Sequence, residues 1–354
     1  MGRHGGFAEH PYNRGGRAYM RRTYYDHGHY YAYGYRGGYY HGGYYYGYVS
    51  PYYYNPGFYG WAYNPWAAPV AYGWGWGGAP WFGFYAGYFN PYPVYAAPAF
   101  WMTDYIISQN LQAAYEAQAA ANANAAANAN ADAQAAAQMG GSDQTAQSSG
   151  GGGGAVTLTP EVKQAIADEV KAQIQAEKDA AAAPQAAPAP AASADASATP
   201  AEEVPAALDP NHRTFIVSTV ITPTGSDGVE CSLSPGDVVT RIEDTPDGNK
   251  NVKVLVSASQ SSDCHSGSQV AVAVDDLQDM HNHFREQLDA GLKTLAANQG
   301  KNGIPAGPAA GGHDNPDGKV SPDLNVKDQL ASQEADANQA EADVNQQQSG
   351  SGQD

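Results

Sequence analysis

All 26 tyrosines and all six tryptophans lie before residue 116, and after it only Phe215 and Phe284 add a phenyl ring. Charge segregates in the same way. The first 115 residues carry six Arg, no Lys and three acidic residues, so the net charge of −18 arises entirely in the remainder. One compact enzyme mixes these residue types along its length, so the segregation argues for separate parts and against a single catalytic globule. From Gly37 to Thr103 there is no Lys, Arg, Asp or Glu. Prolines at 51, 56, 65, 69, 80, 91, 93 and 98 nevertheless leave no run near the ~20 apolar residues that span a bilayer, and no membrane helix is expected.

Residues 1–102 read as a Tyr/Gly tract that passes into a Trp/Pro/Gly tract. Gly weakens strands through its backbone entropy, Pro removes ladder donors, and aliphatic residues able to fill a core are scarce. The expectation is a collapsed, low-complexity segment without a unique fold. Its rings are then the candidate contact points, foremost Tyr44, Tyr45, Tyr46, Trp61, Trp66, Trp74, Trp76 and Trp81. Rings of this kind favour protein and membrane–water interfaces, so self-association or an envelope or lipid surface is the expected partner.

Residues 103–139 read as an Ala/Asn/Gln-rich helix capped by Thr103 or Asp104, with Ile107, Leu111 and Tyr115 on one stripe and nothing to dock beyond it. Residues 140–158 form a Gly/Ser linker. A second helix is expected over 159–182, opened by Thr159, Pro160 and Glu161, with Val162, Ile166, Val170 and Ile174 as a narrow interface stripe. Residues 183–210 read as an extended Ala/Pro linker, and 298–354 as an acidic disordered tail.

Residues 211–297 alone carry the pattern of a folded domain: five short Val-rich strands with turn signals, then a helix bearing Met280, Phe284, Leu288, Leu292 and Leu295. The run Glu230-Cys231-Ser232-Leu233-Ser234-Pro235-Gly236-Asp237-Val238-Val239 resembles the Leu-x-x-Gly-Asp-Val/Ile element of SH3-like barrels. Val270–Val274 followed by Asp275-Asp276-Leu277 is similar to their last strand and helical turn. The resemblance covers about residues 213–280 and implies a bacterial-type SH3-like module used as a scaffold or to bind an unidentified protein ligand. Eukaryotic SH3 domains hold PxxP peptides in a Tyr/Trp groove. This segment has neither residue, so PxxP peptides are not expected as ligands. The fold class expected overall is a mostly disordered, low-complexity chain with exposed helices and one small all-β barrel followed by a helix.

Cys231 and Cys264, the two cysteines, lie 33 positions apart and are expected to pair. A disulfide favours an oxidising, extracytoplasmic compartment, although the amino terminus lacks the basic-then-apolar pattern of a signal peptide. His281 and His283 stand at i, i+2 on a helix and point apart, so no metal site is expected, and no cofactor motif occurs. Arg14-Gly15-Gly16-Arg17 and Arg36-Gly37-Gly38 suggest nucleic-acid contacts, but the acidic remainder repels polyanions, so nucleic acid is not the expected partner. The sequence therefore points to a non-catalytic envelope-associated or extracellular structural protein. The alternative is an intracellular RNA-associated condensate protein using the Arg/Gly/Tyr tract.

Overall fold

The computed structural model describes residues 7–14, 17–26, 29–139, 157–182, 202–260, 263–315 and 328. The expected linkers over 140–158 and 183–210 and the expected tail over 298–354 lie outside them except at 157–158, 202–210, 298–315 and Asp328. In the described parts the expectation is corrected, because Leu158, Ala207, Leu208 and Ile304 are buried. The described residues form two compact units. One comprises those of 1–53 with Glu202, Glu203, 313–315 and Asp328, and the other those of 54–184 and 204–312.

The first unit overturns the expectation of a tract without a fold. Strands β1 (Phe7–Arg14), β2 (Arg17–Asp26), β3 (His29–Tyr40) and β4 (Gly43–Val49) form an antiparallel sheet in the order β1-β2-β3-β4. A short β5 (Tyr52–Tyr54), at the border of the unit, pairs with β11 (Gly312–Asp314). Register explains why so much glycine is tolerated. Gly37 faces Tyr46 and Gly38 faces Tyr45 across the β3–β4 ladder. A Cβ on Gly38 would stand inside the Tyr45 ring, so the missing side chain is the room that lets the ring lie on the sheet. Period-two alternation then gathers Met20, Tyr35 and Tyr48 into a buried cluster, with Tyr33 and Tyr46 packed against it. The sequence reading counted what glycine costs a strand and missed what it admits from the neighbouring strand.

The second unit corrects the other half of the expected fold class. Its helices are α1 (Pro56–Tyr63), α2 (Pro80–Phe84), α3 (Pro98–Met139), α4 (Pro160–Ala182) and α5 (Val274–Ala297). Its sheet comprises β6 (Thr214–Ile216), β7 (Thr224–Gly225), β8 (Val238–Arg241), β9 (Asn251–Ala258) and β10 (Gln269–Ala273), in the order β6-β8-β9-β10-β7. This sheet is not a free-standing barrel hung between linkers. Helix α5 packs on β6 and β10, α4 packs on β6, and α3 lies against both helices. Trp101, Met102, Ile106, Ile107 and Leu111 of α3 are buried, as are Leu277, Phe284, Leu288, Leu292 and Leu295 of α5.

Helix α3 begins at Pro98, before the expected cap. Thr103 spends its hydroxyl within the helix, donating to the Ala99 carbonyl, and Asp104 is fully buried. Beyond Tyr115 the helix is exposed wherever its side chains are described, because Ala, Asn and Gln offer no apolar stripe. The Ser234-Pro235-Gly236-Asp237 turn is stitched into the unit. Gly236 has φ +94 and a Cβ there would meet Leu111, while the Tyr88 hydroxyl donates to the Gly236 carbonyl at 2.8 Å. The Asp237 carboxylate accepts from the Ser234 and Gln260 amides, each at 2.8 Å.

Candidate functional site

The structure divides the predicted contact rings between the two units. Tyr44, Tyr45 and Tyr46 stand on β4. Tyr44 is 60% exposed, Tyr46 leans on the Met20–Tyr35–Tyr48 cluster, and Tyr45 occupies the opposite face over Gly38. Burial, with the Glu203 carboxylate nearby, raises the Tyr45 phenol to about 12, so it stays neutral at physiological pH. Arg22 lies over the Tyr35 ring at 5.0 Å and pairs with Glu9 at 2.9 Å, and Arg36 pairs with Glu203 at 2.6 Å. Both guanidinium groups are thus partly neutralised within the unit.

The six tryptophans all belong to the second unit, where Trp101 joins the core with Trp66 and Trp81 while Trp61, Trp74 and Trp76 are half-buried. Trp66 and Trp81 are buried, and Trp61 is half-buried against Phe58 at 5.7 Å. Trp76, Trp74, Trp101 and Tyr105 form one column, with successive centroids 4.4, 4.8 and 5.5 Å apart and near-parallel planes. The expectation that these rings are adhesive contact points is therefore corrected for Trp66 and Trp81. Helices α3 and α4, close in space although not in sequence, supply the partner surface that local composition lacked.

The stripe expected on α4 is present: Ile166, Val170 and Ile174 are fully buried and Val162 is half-buried. Sequence reasoning missed that Lys163, Glu169, Gln173 and Glu177 are buried as well. Lys163 pairs with Asp104 at 2.6 Å and lies 3.6 Å from the Tyr92 ring centroid. The other Asp104 oxygen accepts from the Tyr92 amide and the Tyr95 hydroxyl, whose oxygen in turn accepts from the Trp74 indole. Burial pushes Asp104 up and Lys163 down, each shift opposed by the partner's charge. Glu169 pairs with His212 at 2.7 Å. Burial alone would lower His212, and the carboxylate outweighs it and raises the imidazole. Glu177 pairs with Arg285 at 3.2 Å. Burial and the neighbouring Asp289 hold Glu177 up at about 7. His281, fully buried near Arg285 and His212, is pushed well below its usual value by burial. The sequence signal for this network was the run of Lys, Glu and Gln at helical spacing beside the apolar stripe, which reads equally well as a solvated face.

The structure joins Cys231 to Cys264 with Cα atoms 5.2 Å apart, closing the loop across the β7–β8 and β9–β10 connections. By the chain-entropy relation a loop of this length contributes on the order of 3–4 kcal/mol. A half-open groove of 170 Å³ lies between Ile221, Thr224, Asn251, Val272 and Asp276, smaller than pockets that enclose drug-sized ligands. His281 is buried and His283 half-buried with a carboxylate neighbour, Glu286, at 3.6 Å. Among the described residues no cluster of three or more His, Cys, Asp or Glu is placed to hold a metal, and no helix is long and apolar enough to cross a membrane. No family model, curated protein or solved structure matches the chain.

Proposed function

We propose that the chain is a non-catalytic structural and interaction protein of the cell envelope or extracellular space. In this reading the tyrosine face of the β1–β4 sheet is the contacting surface, and the disulfide-clasped α/β unit is a stable body. The observation that carries the reading is the exposure of Tyr44 at the rim of an aromatic face whose inner rings are already packed. Such a rim presents apolar area with a polar hydroxyl, the combination favoured at wet interfaces. The Cys231–Cys264 bond supports an oxidising compartment.

Sedimentation velocity of the full chain over a concentration series, with and without neutral phosphatidylcholine vesicles, tests this reading. Self-association or vesicle binding that weakens in Tyr44→Lys is expected. A chain that stays monomeric and free of vesicles, or a Tyr44→Lys variant that behaves like the unsubstituted chain, overturns it.

A further inference from the structure

The β3–β4 hairpin places two tyrosines in a reactive arrangement. Its turn is His41-Gly42, with φ +43 and +79, the positive angles at both central positions that fix a two-residue hairpin in one register. The next pairs are Tyr40 with Gly43 and Tyr39 with Tyr44. The Tyr39 and Tyr44 rings meet edge to face with centroids 5.3 Å apart. Tyr39 is half-buried and Tyr44 is 60% exposed, so a small oxidant or a radical carrier reaches the pair from solvent. The end of the hairpin is also held from outside. The Glu203 amide donates to the Tyr39 carbonyl at 2.8 Å, and the His41 amide donates to the Glu202 carboxylate at 3.1 Å. Among the described residues the other tyrosine pairs each include a buried ring: Tyr19 in Tyr12–Tyr19, Tyr48 in its pairs with Tyr33 and Tyr35, both rings in Tyr54–Tyr59, and Tyr95 in Tyr92–Tyr95.

We propose that Tyr39 and Tyr44 are an oxidative modification site, joined as dityrosine by hydrogen peroxide and a haem peroxidase. Each phenol gives up one electron and one proton. The two phenoxyl radicals combine through a carbon–carbon bond between ring positions ortho to the hydroxyls, and the rings regain aromaticity as their ortho hydrogens move to oxygen. Overall two tyrosines lose two hydrogens and one hydrogen peroxide is reduced to two waters. The bond would lock the hairpin covalently next to its turn, leaving both hydroxyls in place. The inference goes beyond the adhesive reading and does not depend on it, since the chemistry needs only the hairpin geometry.

The test treats the full chain with a haem peroxidase and limiting hydrogen peroxide, isolates monomer on a denaturing gel and maps the product by mass spectrometry. The expected product is a peptide covering residues 39–44 that has lost two hydrogens and gives no backbone fragments between the linked positions. Tyr44→Phe and Tyr39→Phe lose this product and most of the dityrosine fluorescence of the monomer, whereas Tyr40→Phe keeps both. Links spread equally over other tyrosines, dityrosine confined to oligomers, or undiminished product in Tyr44→Phe would each overturn the proposal. Mapping in the unsubstituted chain decides the matter even if a variant folds poorly.

Discussion

The two units start from nearly the same alphabet of Tyr, Gly and Pro and use it in different ways. In the β1–β4 sheet, rings lie over glycines of the neighbouring strand and over one another, and the sheet keeps a rim open to water. In residues 54–105 the rings are gathered against α3 and α4, and Trp101, Phe58, Tyr59, Phe89 and Tyr95 are wholly buried. The difference lies in what each tract is packed against. Helices with aliphatic and charged partners turn an aromatic tract into a core, whereas strands of its own kind turn it into a surface.

This contrast can be broken experimentally, because every tryptophan reports on the second unit alone. Trp101→Ala empties the middle of the ring column and should cost about 3–5 kcal/mol. The loss should appear as an earlier urea transition in the fluorescence of the remaining tryptophans; an unchanged midpoint would mean that the column is not a core.

A second test uses pH. Folding holds the Glu177 proton up to about 7, against an ordinary glutamate value of 4.5. The folded form therefore binds that proton more tightly than the unfolded chain does. The stability this contributes is present below about 4.5 and is lost as pH rises through about 7. Glu177→Gln should flatten the decline across this window by on the order of 3 kcal/mol, measured as urea midpoints at several pH values. His281 works in the opposite sense, its contribution being present above its ordinary value of 6.5 and lost on acidification, so the slopes of the two chains must be compared rather than either alone.

The smallest effect belongs to the sheet. Gly38→Ala should cost on the order of 1 kcal/mol by displacing the tip of the Tyr45 ring, and adding Tyr45→Ala should recover part of that loss. A strictly additive double variant would show that the glycine and the ring are not packed as one unit.

Much of the second unit was legible from local signals. The α4 stripe, the α5 hydrophobic spacing and the β-rich pattern after Arg213 each rest on periodicity within a few turns or one strand. What could not be read depends on residues distant in sequence. Tyr45 opposite Gly38 is a matter of strand register. Asp104 beside Lys163 joins two helices across the expected Gly/Ser linker, and nothing local distinguishes such a lysine from a solvated one. The short Leu-x-x-Gly-Asp element lies at the Ser234–Asp237 turn. Its Asp237, however, binds neighbouring backbone amides within an α/β unit, and the chain around it does not form the isolated barrel that the motif suggested.

The order in which the chain is threaded has a consequence for its synthesis. The first unit is completed by Glu203 on the Tyr39 carbonyl and by Asn315, whose side-chain amide donates to the Ser50 carbonyl at 2.7 Å. The first of these contacts cannot form before residue 203 has been made and the second not before residue 315, long after the tyrosine hairpins have emerged. Until then the nascent chain carries these strands without their last contacts. Anything that stalls elongation late in the message should expose them to aggregation or to chaperone capture.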